Sequence, residues 1–230
     1  MIDLTVKSGT ATSTLSASAL TIDFYKTLAT VDLAQPKMFE SLTSWGYPCD
    51  ERTELRFNSE GCNGELTPAG PDYDTWRLDR ITRLCETVGV PPAEAPGVAD
   101  TLIKIDQSWT VKPLDGANEL LDVLLASGTP FVILTNWDYA LEPYLEQAGF
   151  PRTLATLTSR QAGARKPHTK IFTMAAAMMD TTTGIVHLGD RWDCDVEGAL
   201  AAGWTPCWLT TRDTTTDVPY VPDLPFLLGG

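Results

Sequence analysis

The sequence predicts an α/β protein: a doubly wound parallel sheet with a small inserted α-helical cap. Three observations lead there. Short apolar runs bounded by turn residues recur along the chain, helix-like segments fill most of the intervals between them, and one interval is far too long for a single connection. Residues 1–18, rich in Ser, Thr and small side chains without a clear period, are expected to form a flexible tail. The first strand is ALTIDF, ending at Asp23. Roughly ninety residues separate it from a helix opening at Asp115, where connections within α/β units take about 2–6. That stretch must therefore hold structure of its own. It contains helix-like segments from Lys37 to Trp45 and from Tyr73 to Val88, broken by GYP, GCNG, TPAGP and GVPPAEAPG, and little β patterning.

Beyond the insert the alternation is regular. A helix from Asp115 to Ala126 precedes the strand PFVILTN ending at Asn136, and a helix from Tyr139 to Ala148 precedes TLATLTS ending near Ser159. A helix from Thr169 to Met179 leads to IVHLGD ending at Asp190, and one from Asp195 to Ala202 leads to TPCWLT ending at Thr210. Gly128, Gly149 and Gly203 stand where three of these helices should stop. The C-terminal VPDLPFLLGG is apolar enough to pack on the core.

Composition narrows the function. With 30 acidic and 17 basic side chains among 230 residues, the net charge of -13 repels phosphate backbones and anionic lipids, so neither nucleic acid nor membrane is an expected partner. No apolar run approaches the roughly 20 residues that cross a bilayer, and the start of the chain lacks a basic region followed by an apolar one. Cys49, Cys62, Cys85, Cys194 and Cys207 are widely spaced and never in CxxC, which reads as reduced thiols in a cytoplasm. The two histidines, His168 and His187, are too few for a zinc site; His168 should start a helix and His187 should lie buried in a strand.

Three strands end in polar residues at their C-terminal ends: Asp23, then Thr135 and Asn136, then Asp190. In open parallel sheets ligands bind at that edge. Lys166, in GARKPHTKIF, falls just before another helix, so two carboxylates, an amide or hydroxyl and an ammonium suggest a site for a metal and an anion. Each alone is an ordinary turn or cap residue.

In order and together, DFYKTL (Asp23 to Leu28), ILTN (Ile133 to Asn136), RKP (Arg165 to Pro167) and GDRWDCD (Gly189 to Asp195) resemble the four motifs of the haloacid dehalogenase (HAD) superfamily. The resemblance covers essentially residues 19–210 and implies a Rossmann-like core over 19–33 and 111–230, with a helical cap over 34–110. It implies that Asp23 is a nucleophile forming an aspartyl-phosphate and that Mg²⁺ is held by Asp23, the Tyr25 carbonyl, Asp190 and Asp195. Lys166 would be the fixed positive charge, Thr135 and Asn136 would hold phosphoryl oxygens, and Thr27 would order the first loop. Asp193, off the family spacing, should be solvated. The expected activity is a Mg²⁺-dependent phosphatase acting on a small phosphorylated metabolite, as a monomer or homodimer.

Two positions depart from the family's pattern. Tyr25 stands where phosphatases of the superfamily carry a second Asp that protonates the leaving group and activates water, and Lys26 replaces the usual Gly. A phenol is a poor base near pH 7. Tyrosine there resembles the 2-haloacid dehalogenases of the superfamily, whose halide leaves without a proton, but those enzymes lack the Gly-Asp pair kept here as Gly189 and Asp190. A 2-haloacid dehalogenase and a catalytically weakened binding protein are thus the alternatives. In the insert, Trp45, Tyr47, Arg52, Arg56, Trp76 and Arg77 are possible substrate contacts, although Trp45 and Trp76 suit a cap core; Arg191 and Trp192 could line the rim.

Overall fold

A computed structural model describes residues 1–31, 37–60, 64–212, 214 and 216–229. Cys62 and most of the GCNG turn lie outside the described residues, as does the expected boundary between core and insert at 33 and 34.

The expected strands form as β3 (Ala19–Ile22), β6 (Phe131–Thr135), β7 (Thr156–Thr158), β8 (Ile185–Gly189) and β9 (Thr205–Leu209), all parallel. A further strand, β10 (Tyr220–Val221), pairs in parallel with β9. The parallel part of the sheet runs β10, β9, β8, β3, β6, β7. Renumbered along the chain this is the order 3-2-1-4-5-6 of a doubly wound sheet, whose direction of winding reverses between β3 and β8. Ligand sites fall at that reversal, and Asp23 and Asp190 follow its two strands.

Both faces of the sheet are covered, which is why its strands read as continuous apolar runs. Leu20, Ile22, Ile133, Val186 and Leu188 pack against helices α5 (Ala117–Ser127) and α6 (Glu142–Gln147). Ala19, Val132, Leu134 and Ile185 face α8 (Thr169–Met178) and α9 (Glu197–Ala201). The glycines expected to end helices do so: Gly128, Gly149 and Gly203 have φ of 66°, 78° and 75°, which a side chain rarely tolerates. A short α7 (Ser159–Ala162) carries a capping box between Thr158 and Gln161. The C-terminal α10 (Leu224–Leu227) buries Leu224 and Leu227, as its composition suggested.

The expected tail is instead a β-hairpin. β1 (Ile2–Ser8) and β2 (Ala11–Ala17) pair from Ile2↔Ala17 to Ser8↔Ala11, and β1 adds antiparallel to β10 at the sheet edge. Its two-residue turn uses Gly9 at φ 56°. Ile2, Leu4 and Val6 alternate into the core while β2 stays largely exposed, which explains its Ser- and Thr-rich composition.

Among its described residues the long interval holds four helices: α1 (Met38–Ser44), α2 (Glu51–Glu60), α3 (Pro71–Thr87) and α4 (Ala95–Gln107). Met38, Leu42, Ile81, Leu84, Ala99 and Leu102 belong to an apolar cluster of its own. A two-stranded ladder of β4 (Ala29–Val31) and β5 (Val111–Pro113) ties the chain together where this excursion leaves and returns. Trp45 is 43% exposed and so is not part of that cluster's core; it sits at the C-cap of α1, beyond the helix's buried face. Trp76 is half-buried, its ring 5.0 Å from that of Tyr73.

Candidate active site

Asp23, Asp190 and Thr135 follow or end three adjacent strands, β3, β8 and β6. The side chains of Asp23, Asp190 and Asp195 each offer an oxygen, and these lie within 4.8 Å of one another. Gly189 makes this approach possible, because a Cβ there would meet the Asp195 carboxylate at 2.3 Å. A π-helical turn, Trp192–Val196, carries Asp195 back against the strand end, where the Arg191 N–H donates to Asp195 Oδ2 at 2.9 Å. Asp193 points elsewhere and pairs with Arg191 at the exposed rim, as expected.

Lys166 enters from the loop before α8. Its ammonium is buried and donates to Asp23 Oδ1 at 2.8 Å, Asp195 Oδ1 at 2.5 Å and the Leu134 carbonyl at 2.9 Å, which satisfies its three protons. Burial alone would lower its pKa, but Asp195 and Asp23 outweigh it and hold the group charged. Of the two carboxylates, burial works to raise Asp195, yet Lys166 and the hydrogen bond from His187 bring it well below the usual range. Asp23 ends above the ordinary value, since burial and the neighbouring Asp195 exceed what Lys166 returns. Asp190 is half-buried, and loss of solvent together with the charges of Asp23 and Asp195 pushes it up to about 7.

The remaining predicted residues gather around this centre. Thr27 is buried, with Oγ1 3.4 Å from Asp23 Oδ2, and Thr135 is buried at the strand end. Tyr25 is half-buried, its proton held more tightly by loss of solvent and by Asp190. Asn136 braces Lys166: its Oδ1 accepts the Lys166 N–H at 2.7 Å and its Nδ2 donates to the Lys166 carbonyl at 3.1 Å. His168 caps α8 as expected. Of the insert residues, Arg77 is buried and donates to the Asp138 carbonyl at 2.8 Å, while Arg52 and Arg56 are exposed.

Sequence reasoning missed two partners of the site. His187 is a buried strand residue, as expected, but its Nε2 lies 3.1 Å from Asp195 Oδ1 and its Nδ1 lies 2.8 Å from Thr21 Oγ1. Burial keeps it neutral, so it serves Asp195 as a hydrogen-bond donor from Nε2 while Thr21 donates to Nδ1. Arg165 donates to Asp138 Oδ1 and to the Tyr73 hydroxyl, each at 2.5 Å, so α3 of the insert is joined to the residue beside Lys166. A second clasp, Arg160 to Asp74, holds the same helix. The buried-strand pattern marked His187 as core, and nothing local in the sequence marked either partnership.

A doubly wound sheet with an acidic trio and a buried lysine at its winding reversal defines a class of hydrolases, and the comparisons place the chain within it. Residues 163–223 match the HAD-hydrolase-like family. The chain is 30% identical over 167 residues to haloacid dehalogenase-like hydrolase domain-containing protein 3 of Bos taurus, covering 66% of each chain. It is 27% identical over 146 residues to the 5-amino-6-(5-phospho-D-ribitylamino)uracil phosphatase YigB of Escherichia coli (strain K12), covering 60% of this chain and 58% of that protein. The chain thus spans at most 66% of the length of the curated relatives it matches. Among solved structures, the magnesium-bound HAD-hydrolase YfnB of Bacillus subtilis aligns with a TM-score of 0.64 at 17% identity over 93% of this chain and 97% of that one. The 2-haloacid dehalogenase of Pseudomonas syringae pv. Tomato DC3000 aligns at 0.59 and 18% identity, over 93% and 99%. These two likenesses concern the fold. The chain belongs to the haloacid dehalogenase superfamily.

Proposed function

We propose that the protein is a Mg²⁺-dependent phosphatase acting on a small phosphorylated metabolite through a phosphorylated Asp23. The observation that carries this reading is the convergence of Asp23, Asp190 and Asp195 around the Lys166 ammonium at the winding reversal. The donor set fits a hard divalent cation: it is all oxygen, it is close-set, and Asp190 is pushed up to about 7 by loss of solvent and then by the charges of Asp23 and Asp195, which a cation would offset. Asp23, Asp190 and Asp195 would hold the ion with the Tyr25 carbonyl, and the ion would neutralise charge on the phosphoryl group.

The chain's own residues account for the rest. The Asp23 carboxylate attacks phosphorus, the bond from phosphorus to the leaving oxygen breaks, and a proton goes to that oxygen. Lys166 keeps Asp23 aimed and offsets charge as it approaches a dianion, while Asn136 fixes the backbone that carries Lys166. Asp195, anchored by His187 and the Arg191 N–H, keeps the ammonium between the two carboxylates. Tyr25 holds its proton at neutral pH and gives it to the leaving oxygen as the bond from phosphorus to that oxygen breaks. Water then attacks phosphorus and returns a proton to the Tyr25 phenolate, the bond from phosphorus to Asp23 breaks, phosphate leaves, and Asp23 and Tyr25 are both restored. The helical insert over 34–110 acts as the cap that shelters this edge from water. No helix among the described residues is long and apolar enough to cross a membrane. Cys49, Cys85 and Cys207 are free thiols, which supports a cytoplasmic setting.

The test is phosphate release from a panel of sugar phosphates, nucleotides and an aryl phosphate, with Mg²⁺ or with chelator. The expected result is Mg²⁺-dependent release that Asp23→Asn abolishes. Tyr25 favours a second reading, dehalogenation. Chloride release from 2-haloacids without metal, and no phosphate release, would establish it in place of the first.

A further inference from the structure

Lys26 stands where its family usually has glycine, and the structure keeps the glycine-like backbone, with φ 65°. Its N–H donates to the Ala29 carbonyl at 2.7 Å, which fixes the turn after Asp23 in this left-handed conformation. Glycine adopts that conformation freely and lysine does not. A long cationic side chain held in that conformation is a reason to look for a role for it in its surroundings.

The surroundings indicate the use. Lys26 makes no ion pair among the described residues; its ammonium lies 5.4 Å from the centre of the Tyr25 ring. Together with Asp190 it lines a cavity of about 410 Å³ at the C-terminal edge of the sheet, within the size range of small-molecule sites. Leu114, Leu209 and Leu224 make the apolar part of the wall, and Arg212 supplies a second cation. Of the carboxylates in the wall, Asp190 belongs to the acidic trio. Asp223 is occupied as the N-cap of α10, accepting the Phe226 N–H at 2.8 Å. Among the described residues of the wall, Asp115 is the carboxylate left over, and Asp190 also attracts Lys26.

We infer that this cavity is a subsite for the half of the substrate that leaves, and that Lys26 and Arg212 select leaving groups carrying a second anionic group. The inference rests on the phosphatase reading for where the transferred phosphoryl group sits. An apolar wall suits a short carbon chain, and two cations in a wall that includes Asp190, whose carboxylate offers an oxygen within 4.8 Å of one of Asp23, suit a carboxylate or a second phosphate, each recognised by charge-assisted hydrogen bonds.

The test measures binding apart from turnover. Ethyl phosphate, 2-phosphoglycolate and ethane-1,2-diol bisphosphate are titrated calorimetrically into the Asp23→Asn protein with Mg²⁺. They share a two-carbon frame and differ in carrying no second anion, a carboxylate or a phosphate. At least one of the latter two is expected to bind about tenfold tighter than ethyl phosphate, and which one identifies the anion. Adding Lys26→Met or Arg212→Gln should abolish that advantage, and Lys26→Arg should retain it. Lys26→Gly, which relaxes the backbone, should abolish it as well. Equal binding of all three, no binding, or an advantage that survives both charge removals would overturn the inference. Phosphate release by the unsubstituted protein from the same esters separates the two claims. A binding preference without release contradicts the phosphatase reading and leaves the subsite standing, while release without preference contradicts the subsite alone.

Discussion

At Lys166 three buried charges depend on one another. Removing its ammonium leaves Asp23 and Asp195 buried side by side, with His187 and the Arg191 N–H as the donors remaining to Asp195. Lys166→Met should therefore cost about 3–5 kcal/mol in chemical denaturation at pH 8 without metal. A change below about 1 kcal/mol would mean the pairing is solvent-screened. Lys26 behaves in the opposite sense. Relief of a left-handed side chain is worth about 1–2 kcal/mol, against about 0.5–1 kcal/mol for the added freedom of glycine in the unfolded chain. Lys26→Gly should thus raise the melting temperature slightly, about 2–4 °C per kcal/mol for a chain of this size. Asp190 sets a pH dependence. Its folded pKa of about 7 lies above its ordinary 3.8, so the folded protein holds the proton more tightly than the unfolded chain. The contribution is nil below about pH 4 and becomes fully unfavourable above about pH 7, so metal-free stability should fall between those values. Asp106, also raised to about 7 by burial first and by Asp138 second, adds to the same slope. Asp190→Asn should flatten part of that fall and remove the stabilisation by Mg²⁺, read as thermal shifts at pH 5 and pH 8. An unchanged Mg²⁺ shift would exclude Asp190 as a ligand.

At the scale of elements, the N-terminal hairpin is the sharpest difference between expectation and structure. If β1 is part of the sheet, Leu4→Ala empties a buried position and should cost about 2–5 kcal/mol. In a flexible tail the same change would stay within about 0.5 kcal/mol. The alternation of Ile2, Leu4 and Val6 was present in the sequence, but the exposed Ser and Thr of β2 diluted it. The core strands were legible for the contrary reason, since burial on both faces leaves no polar positions to interrupt the apolar run. The helix α4 was hidden by Pro96 and Gly97, which read as a break; the proline occupies the first turn, where its missing N–H has no partner to lose. In the site, Asp23, Thr135, Asn136 and Asp190 were legible because strand ends carry a positional signal. The bonds of His187 to Asp195 and of Tyr73 to Arg165 join residues from different elements, and no local spacing encodes them.

For the whole molecule, the sheet, the insert and the site form one arrangement. The winding reversal brings β3 and β8 together, so Asp23 and Asp190 meet although most of the chain lies between them. The helix α3 is held to the core by Tyr73, which meets Asp138 and the Arg165 beside Lys166, by Asp74, which pairs with Arg160, and by Arg77, which donates to the Asp138 carbonyl. The insert and the charged centre are therefore tied to neighbouring loops. On the proposed function, Asp23 attacks phosphorus at this edge with the help of a bound Mg²⁺. The most direct measurement is the mass of the Asp23 peptide after rapid acid quench of the protein mixed with an aryl phosphate and Mg²⁺. The expected result is a gain of one phosphoryl group on Asp23, lost with chelator and absent in Asp23→Asn. An unmodified Asp23 in a protein that releases phosphate would contradict the account, because hydrolysis would then proceed without the nucleophile the geometry assigns.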